Sequence, residues 1–282
     1  MNVFLRRHLA AVRALLVLTL VCGLAYPLAV TAVAQLPGLD ERAAGSPLRA
    51  AGRTAGSTLI GQAFTGPDGA PLRQYFQGRP SAAGDGYDAS ASGASNLGPE
   101  DVVDAAPGAP SLLSTVCARS RAVGALEGVS GARPYCAPSG AGAVLAVFGP
   151  RERGRVTRVD RVVSVNEYCP TRPFTATYRG VRVECRKAGE DVAAGRIVPV
   201  RGDAPARPAV PADAVTASGS GLDPHVSPAY ARLQAARVAA ARHLPRARVD
   251  ALVAAHTTRP ALGLLGAPVV NVVTLNAALD RI

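Results

Sequence analysis

The sequence predicts a mixed α/β (α+β) protein with one N-terminal transmembrane helix, an extracytoplasmic domain and a small β-rich insertion in that domain. Three observations predict this class. Residues 14–34 of the 282 are apolar and uncharged, residues 112–126 and 228–256 repeat apolar positions at helical spacing, and short β-branched runs lie between them. The predicted parts are 1–13 (cytoplasmic N-terminus), 14–34 (transmembrane helix), 35–132 and 209–282 (extracytoplasmic domain) and 133–208 (insertion).

The apolar run from Ala14 to Ala34 covers roughly 30 Å as a helix, the thickness of the hydrocarbon core of a bilayer. Three arginines precede it and the next basic residue is Arg42, which predicts a cytoplasmic N-terminus. The alternatives are a signal peptide cleaved after Ala34 and a lipoprotein at Cys22. The run is longer than a signal core of about 7–15 residues, and the remainder is exported in every case.

Charge and aromatic content argue against nucleic-acid binding. The net charge is +11, aromatic residues make up 4% and Lys187 is the only lysine. The arginines are scattered among Val, Ala and Asp, whereas nucleic-acid binders concentrate basic residues beside aromatic ones. We therefore expect no nucleic-acid partner.

Four cysteines lie in the exported part: Cys117, Cys136, Cys169 and Cys185. An even number in an oxidising compartment predicts two disulfides, and three pairings are possible. If neighbours pair, the bond between Cys169 and Cys185 contributes about 3 kcal/mol through loop closure. Close ligand spacings typical of zinc are absent from the sequence, so we predict no metal site.

The first part of the exported domain mixes loops and helices. Residues 35–56 are expected to form a polar connector and Leu59–Phe64 a short strand. The aromatic residues between Phe64 and Tyr87, Tyr75 and Phe76 among them, are expected to form a packing centre. Glu100 and Asp101 predict a helix start at Pro99–Asp104, since acidic residues favour a helix N-terminus. A second helix is expected over residues 112–126.

The insertion is predicted to be β-rich, with runs AVLAVF, RVVSV, FTATY, VRVEC and RIVPV and a tight hairpin at Arg179-Gly180. Beyond it, Ser227 is expected to cap a helix that starts at Pro228. Another helix should follow Pro245. The segment VVNVVTLNAALD then predicts a buried strand running into a final helix.

The stretch VTASGSGLDPHVSPAYA, Val215–Ala231, places serine, histidine and aspartate within a few residues. No nucleophile-elbow motif surrounds its serines, and the chain has neither a phosphate-binding loop motif nor the D-K-T-G phosphorylation motif. We therefore predict no catalytic residue. Small hydroxyl-bearing residues favour close contact with another chain, and a similar stretch, YDASASGASNLGP, lies at Tyr87–Pro99.

Several stretches together resemble a known family. In order they are STLIGQAF, YFQGRPSA, YDASASGASNLGP, VTASGSGLDPHVSPAYA and VVNVVTLNAALD, behind one membrane helix. This set resembles the C subunit (KdpC) of the bacterial high-affinity potassium-transporting P-type ATPase, the Kdp complex, over roughly residues 1–129 and 208–282. The β-rich insertion departs from shorter family members and is either a surface elaboration or a contact for cell-envelope material.

The resemblance implies a non-catalytic accessory subunit with no cofactor of its own. Its partners would be the ATP-hydrolysing subunit, the channel-like potassium-binding subunit, a small membrane subunit and the bilayer, and the complex would handle ATP and potassium. The family is described as a catalytic chaperone that raises the ATP affinity of the hydrolysing subunit. The alternative is a secreted or anchored binding protein outside any pump. The motifs predict these partner-interface residues: Gln62, Phe76, Arg79, Ser92, Asn96, Ser218 and Asp223.

Overall fold

The computed structural model describes residues 3–50, 52–260 and 262–282. The chain divides into two compact units, Met1–Leu59 and Ile60–Ile282. The mixture of helices and sheets confirms the predicted α/β class.

The first unit is dominated by one long apolar helix, Val3–Ala34, with a mean hydropathy of 2.2. It is α-helical over α1 (Val3–Leu20) and α2 (Tyr26–Ala34), with a π-helical turn at Val21–Ala25 between them. Pro27 explains the wide turn, because proline has no N–H to donate and its ring displaces the carbonyl four residues earlier. By length and composition the helix is able to cross a membrane.

The residues expected to form a polar connector contain regular structure. After the short helix α3 (Asp40–Ala43), strands β1 (Pro47–Ala50) and β2 (Arg53–Ser57) form an antiparallel hairpin. The register shifts between Leu48 and Arg49. This pairing was missed because the strands lack apolar alternation, and their backbone hydrogen bonds alone define the hairpin.

In the second unit, residues 60–111 contain no α-helix or extended strand. The strand predicted at Leu59–Phe64 is wrong, as is the helix start predicted at Pro99–Asp104. Helix α4 begins at Leu112, with Ser111 as its N-cap. The acidic residues still serve that helix, because Asp101 accepts a hydrogen bond from the Leu112 N–H at 2.7 Å.

A five-stranded sheet lies within residues 144–199, in the strand order β7-β8-β6-β3-β9. Its strands are β3 (Val144–Phe148), β6 (Arg161–Tyr168), β7 (Thr177–Tyr178), β8 (Val181–Arg186) and β9 (Arg196–Pro199), and a hairpin of β4 (Arg151–Glu152) and β5 (Arg155–Val156) stands beside them. Strands β6 and β8 are parallel and the other neighbours antiparallel. The predicted hairpin at Arg179-Gly180 is confirmed, since both residues have positive φ, as a two-residue type I′ turn requires.

The C-terminal part forms a second core. Strands β10 (His225–Val226), β11 (Thr257–Thr258) and β12 (Val269–Asn271) make a three-stranded antiparallel sheet, and helices α5 (Pro228–Ala241), α6 (Arg246–Ala255) and α7 (Val272–Leu279) pack with it. Ser227 caps α5 by accepting from the Tyr230 N–H at 3.1 Å, as predicted. Phe76 is fully buried in this core, which confirms the expected packing centre.

The two disulfides join neighbouring cysteines in the sequence. Cys117 on α4 bonds Cys136, and Cys169 bonds Cys185 on β8. The first therefore ties a helix to the start of the predicted insertion, and the second ties two segments of the sheet together. The remaining cysteine, Cys22, lies in the membrane-type helix and is exposed.

Candidate partner interface

The two Ser/Gly-rich stretches, separated by more than a hundred residues, contact each other. Both the Gly93 N–H and the Ser92 hydroxyl donate to the Ser220 carbonyl, at 2.9 and 3.0 Å. The Ser81 hydroxyl donates to the Gly221 carbonyl at 2.6 Å. The loop formed by residues 216–223, which we call the switchback loop, is thus held against residues 81–93 through its own backbone.

Glycine is required at the centre of the switchback loop. Gly221 has a φ of +68°, a conformation that residues with a Cβ rarely adopt. A Cβ there would lie 2.7 Å from the Gly93 carbonyl oxygen and 2.8 Å from the Ala83 Cβ. The small residues of the two Ser/Gly-rich stretches were expected to allow close approach of a partner. In the structure they allow these stretches to approach each other.

Arg79 orders the switchback loop at both ends. Its Nε and Nη2 donate to the carbonyls of Thr216 and Ala217 at 3.3 and 3.1 Å, and its Nη1 lies 3.4 Å from Asp223 Oδ2. The other oxygen of Asp223 accepts from the backbone N–H of His225 at 3.0 Å and lies 2.9 Å from its Nδ1. Arg79 and Asp223 thus form one half-buried network that shapes this surface.

Tyr87 packs behind the same loop. It lies at the end of the aromatic region expected to be a packing centre, but its role at this loop was not predicted. Its hydroxyl donates to the Arg79 carbonyl at 2.6 Å. Burial, and then the charge of Asp223, raises its pKa to about 12. Its ring occupies the space where a Cβ on Gly61 or Gly78 would stand. The signal available in sequence was these glycines in the STLIGQ and QGRP motifs, which leave room for one large side chain.

The backbone of Phe76 and Gln77 is held by two amide side chains. Asn276 accepts from the Phe76 N–H and donates to its carbonyl, both at 2.9 Å. Gln234 does the same for Gln77, at 2.6 and 3.0 Å. These contacts replace the strand pairing that this segment lacks. Phe76 itself has no exposed surface, so its part in an interface is to position the residues around it.

The structure brings some of the predicted interface residues together and leaves others apart. Arg79, Ser92, Ser218 and Asp223 meet at the switchback loop, where the hydroxyl oxygens of Ser218 and Ser220 are 3.4 Å apart. Gln62 is half-buried next to Gly61, whose N–H donates to the Leu222 carbonyl. Asn96 is exposed with a φ of +54°. Their contact with a partner stays a prediction.

Three exposed leucines form a second surface that the sequence analysis did not single out. Leu262, Leu264 and Leu265 lie between β11 and β12 with 87%, 76% and 59% of their surfaces exposed. We call them the leucine loop. A soluble domain seldom exposes adjacent large aliphatic residues without a use for them. The signal available in the sequence was a run of three leucines interrupted only by Gly263 and followed by Gly266.

Asp223 and His225 contact each other, but no serine completes a catalytic arrangement with them. Within the described residues His225 makes no hydrogen bond to a serine hydroxyl, and the Ser227 hydroxyl donates instead to Asp213 at 3.0 Å. Over the same residues no three His, Cys, Asp or Glu side chains stand together in a way that could hold a metal. The geometry at this surface therefore supports contact and ordering.

Comparison with known proteins decides the family. The family model described as KdpC, K+-transporting ATPase, c chain, matches residues 8–121 and 166–281. The chain belongs to the KdpC family. Both Ser/Gly-rich stretches, the switchback loop and the leucine loop lie within the matched residues.

Relatives that are named KdpC align with nearly the whole chain. Potassium-transporting ATPase KdpC subunits from Kineococcus radiotolerans, Gemmatimonas aurantiaca and Caulobacter vibrioides are 40%, 41% and 38% identical. The alignments cover 98%, 94% and 93% of this chain and 93%, 87% and 86% of the relatives. The unaligned fraction of this chain is smaller than residues 133–208, so these relatives also align with part of the sheet. The family model, by contrast, does not match residues 122–165.

Proposed function

We propose that this chain is the accessory C subunit of an ATP-driven potassium uptake complex, needed for assembly and stability of that complex. The observation that carries the proposal is the family match over residues 8–121 and 166–281, which includes most of the membrane-type helix and both Ser/Gly-rich stretches. The relatives are named as subunits of a potassium-transporting ATPase.

In this proposal the helix Val3–Ala34 stays uncleaved and anchors the chain, with its N-terminus in the cytoplasm. Three arginines near its start and none at its end support that orientation. The disulfides support an extracytoplasmic domain, because such bonds persist in oxidising compartments. The cysteine pattern and the charge pattern are independent arguments for the same topology.

The chain is proposed to act without chemistry or cofactor of its own. ATP hydrolysis and potassium conduction would belong to partner subunits, and any effect on ATP affinity would travel through the complex. A direct contact of the extracytoplasmic domain with ATP does not fit the proposed topology, because ATP is on the other side of the membrane.

Two surfaces are proposed to contact partner subunits. The switchback loop offers the hydroxyls of Ser218 and Ser220 on a frame held by Arg79. The leucine loop offers aliphatic area, the component that usually dominates the buried centre of a stable interface.

The first experiment is a pull-down from potassium-starved cells through a C-terminal tag in mild detergent. We expect stoichiometric recovery of a P-type ATPase subunit and a channel-like subunit, with this chain at its uncleaved mass. Recovery of the chain alone, beginning at Gln35, would replace the proposal with a secreted binding protein.

A second pull-down tests the leucine loop. The variant Leu262→Ser with Leu265→Ser is expected to recover at least about tenfold less partner, because it removes the apolar anchor of the contact. The control is Ile282→Ser, which changes an exposed aliphatic residue outside both proposed contact surfaces. Equal recovery by all three proteins would show that the leucine loop is not the anchor.

A further inference from the structure

The five-stranded sheet is covered differently on its two faces. Successive side chains of β3 point to opposite sides, as in any strand. Val144 and Ala146 pack with Leu113 of α4, so a helix covers this face. Leu145 and Val147 face the other way and pack with Val156, Phe174 and Tyr178, which come from short strands and loops.

This second covering is incomplete and leaves a cleft. The β4–β5 hairpin covers one part of the face and the segment around Phe174 and β7 covers another. Between them a cleft of 230 Å³ remains open. Its lining residues are Val147, Val156, Tyr178, Arg179, Arg196 and Val198. The valines form a floor of which only a small area is exposed, since Val147 and Val156 are almost fully buried. The two arginines are exposed, so most of the open lining is polar.

The arginines of the cleft have no acidic partner in the part of the chain that the structure describes. The guanidinium of Arg179 lies over the Tyr178 ring, 5.6 Å from its centroid. Arg196 Nη1 donates to the Gly154 carbonyl at 3.3 Å, which places it beside the hairpin that carries Arg153 and Arg155. By contrast, Arg158 and Arg161 on the same module are paired with carboxylates.

The surrounding segment carries an excess of positive charge. Residues 133–208 contain fourteen arginines and lysines against seven aspartates and glutamates, a net charge of +7 out of +11 for the whole chain. Such a surface raises the local concentration of anions. A planar guanidinium with several donors also suits the oxygens of a phosphate group.

We propose that this cleft binds the phosphate ester of a small alcohol, with the phosphate on Arg179 and Arg196 and the alcohol carbons on the valine floor. The volume is below the roughly 300–1,000 Å³ of sites for larger ligands, so the bound group is small. A glycerol phosphate unit has the required chemistry. It occurs both as a free ester and as the headgroup of an anionic lipid. This inference does not depend on the proposed role in potassium uptake.

The test uses the full chain in a non-ionic detergent with both disulfides intact. Calorimetric titration with glycerol 3-phosphate measures the free ester, and sedimentation with vesicles of phosphatidylglycerol or phosphatidylcholine, after reconstitution into nanodiscs of phosphatidylcholine, measures the lipid headgroup. We expect a Kd of about 1 mM or tighter in at least one arm. Binding only to phosphatidylglycerol vesicles would identify the lipid as the source, and binding only in solution would identify the free ester.

The decisive comparison is between two pairs of substitutions. Arg179→Asn with Arg196→Gln removes the cleft arginines, and asparagine tolerates the positive φ of position 179. It should weaken binding at least about tenfold. The control, Arg172→Gln with Arg201→Gln, removes two exposed charges of the same module outside the cleft and should change Kd by less than about twofold.

Two results would overturn the proposal. One is no binding by the unmodified chain in either arm. The other is equal weakening by the control pair, which would show a diffuse basic surface in place of a site. If the double variant at the cleft does not fold, Arg196→Gln alone serves, with an expected weakening of about fivefold; unchanged binding by that variant would also overturn it.

Discussion

The backbone hydrogen bonds of the five-stranded sheet and those of residues 60–99 are formed in different ways. In the sheet, strands β3, β6 and β9 pair along their length and a disulfide closes one side. Residues 60–99 have almost no strand pairing. Many of their N–H and carbonyl groups bond to backbone, in local turns or on the switchback loop. At residues 73–77 the partners are side chains from other segments, chiefly Asn276, Gln234 and Arg237.

This difference has a consequence for stability. A ladder of backbone bonds does not depend on any one side chain, whereas a segment held by a few polar side chains depends on each of them. Substitutions should therefore be tolerated on the surface of the sheet and be costly at a few buried polar positions near residues 73–77.

The largest effect is expected at Arg237. Its side chain and that of Glu127 are buried, with 3% and 0% exposure, and Arg237 Nε lies 3.0 Å from the carboxylate. Burial raises the pKa of Glu127, and the charge of Arg237 opposes that rise. Arg237→Met leaves the buried carboxylate without its cation and the Arg73 carbonyl without its Arg237 donor. The Tyr75 carbonyl keeps only the longer bond from the Gln77 amide. We expect a loss of about 3–5 kcal/mol in the free energy of unfolding, measured by urea denaturation.

The matched control for that prediction is Arg246→Met. It breaks an exposed pair with Asp250 on α6, whose side chains are nearly half exposed. The expected loss is about 0.5 kcal/mol or less. Similar losses for both variants would show that the buried pair has no special role in holding residues 73–77.

Removing the disulfide of the sheet should have the next largest effect. Cys169→Ala with Cys185→Ala opens a loop with a sequence separation of 16, for an expected loss of about 3 kcal/mol. Hydrogen exchange should accelerate in residues 161–186 and stay unchanged in residues 225–279. Faster hydrogen exchange in residues 225–279 as well would show that the disulfide stabilises the C-terminal core in addition to the sheet. Cys117→Ala with Cys136→Ala is the control that releases α4.

The amide clamp on Phe76 provides a third test. Asn276→Ala leaves the buried N–H and carbonyl of Phe76 without partners, with an expected loss of about 2–3 kcal/mol in urea denaturation. Ser92→Ala removes one exposed hydroxyl bond to the switchback loop and should cost less than about 1 kcal/mol. A larger loss of unfolding free energy for Ser92→Ala than for Asn276→Ala would show that the switchback loop, and not the core, chiefly stabilises residues 60–99.

The smallest expected effect is a change in the pH dependence of stability, caused by His256 at the end of α6. Burial lowers the pKa of His256, whose Nδ1 lies 3.3 Å from the Thr274 hydroxyl. The unfolded chain therefore binds the proton at a higher pH than the folded chain, and stability should fall as the pH drops below about 6.5. His256→Gln should reduce the slope of stability between pH 7 and 5. His243→Asn, at an exposed histidine with positive φ, is the control and should leave the slope as it is.

Local patterns determined much of this protein. The uncharged run marked the membrane-type helix, the alternating β-branched runs marked the sheet, and Ser227 with Pro228 marked the start of α5. The Arg179-Gly180 turn was predictable because few residue pairs adopt positive φ together. The ordered motifs also indicated the family. In each case the information lies within a few neighbouring residues or in their period.

The tertiary structure alone decided how distant segments meet. The bond between Cys117 and Cys136 joins residues 19 apart and is one of three pairings that the sequence allowed. The irregular structure of residues 60–99 and the packing of the two Ser/Gly-rich stretches on each other depend on contacts across more than a hundred residues. Gly221 needs its small size because of Gly93, and Gly61 because of Tyr87. A sequence displays the glycine but not the neighbour that excludes its Cβ, because that neighbour is brought there only when the chain folds.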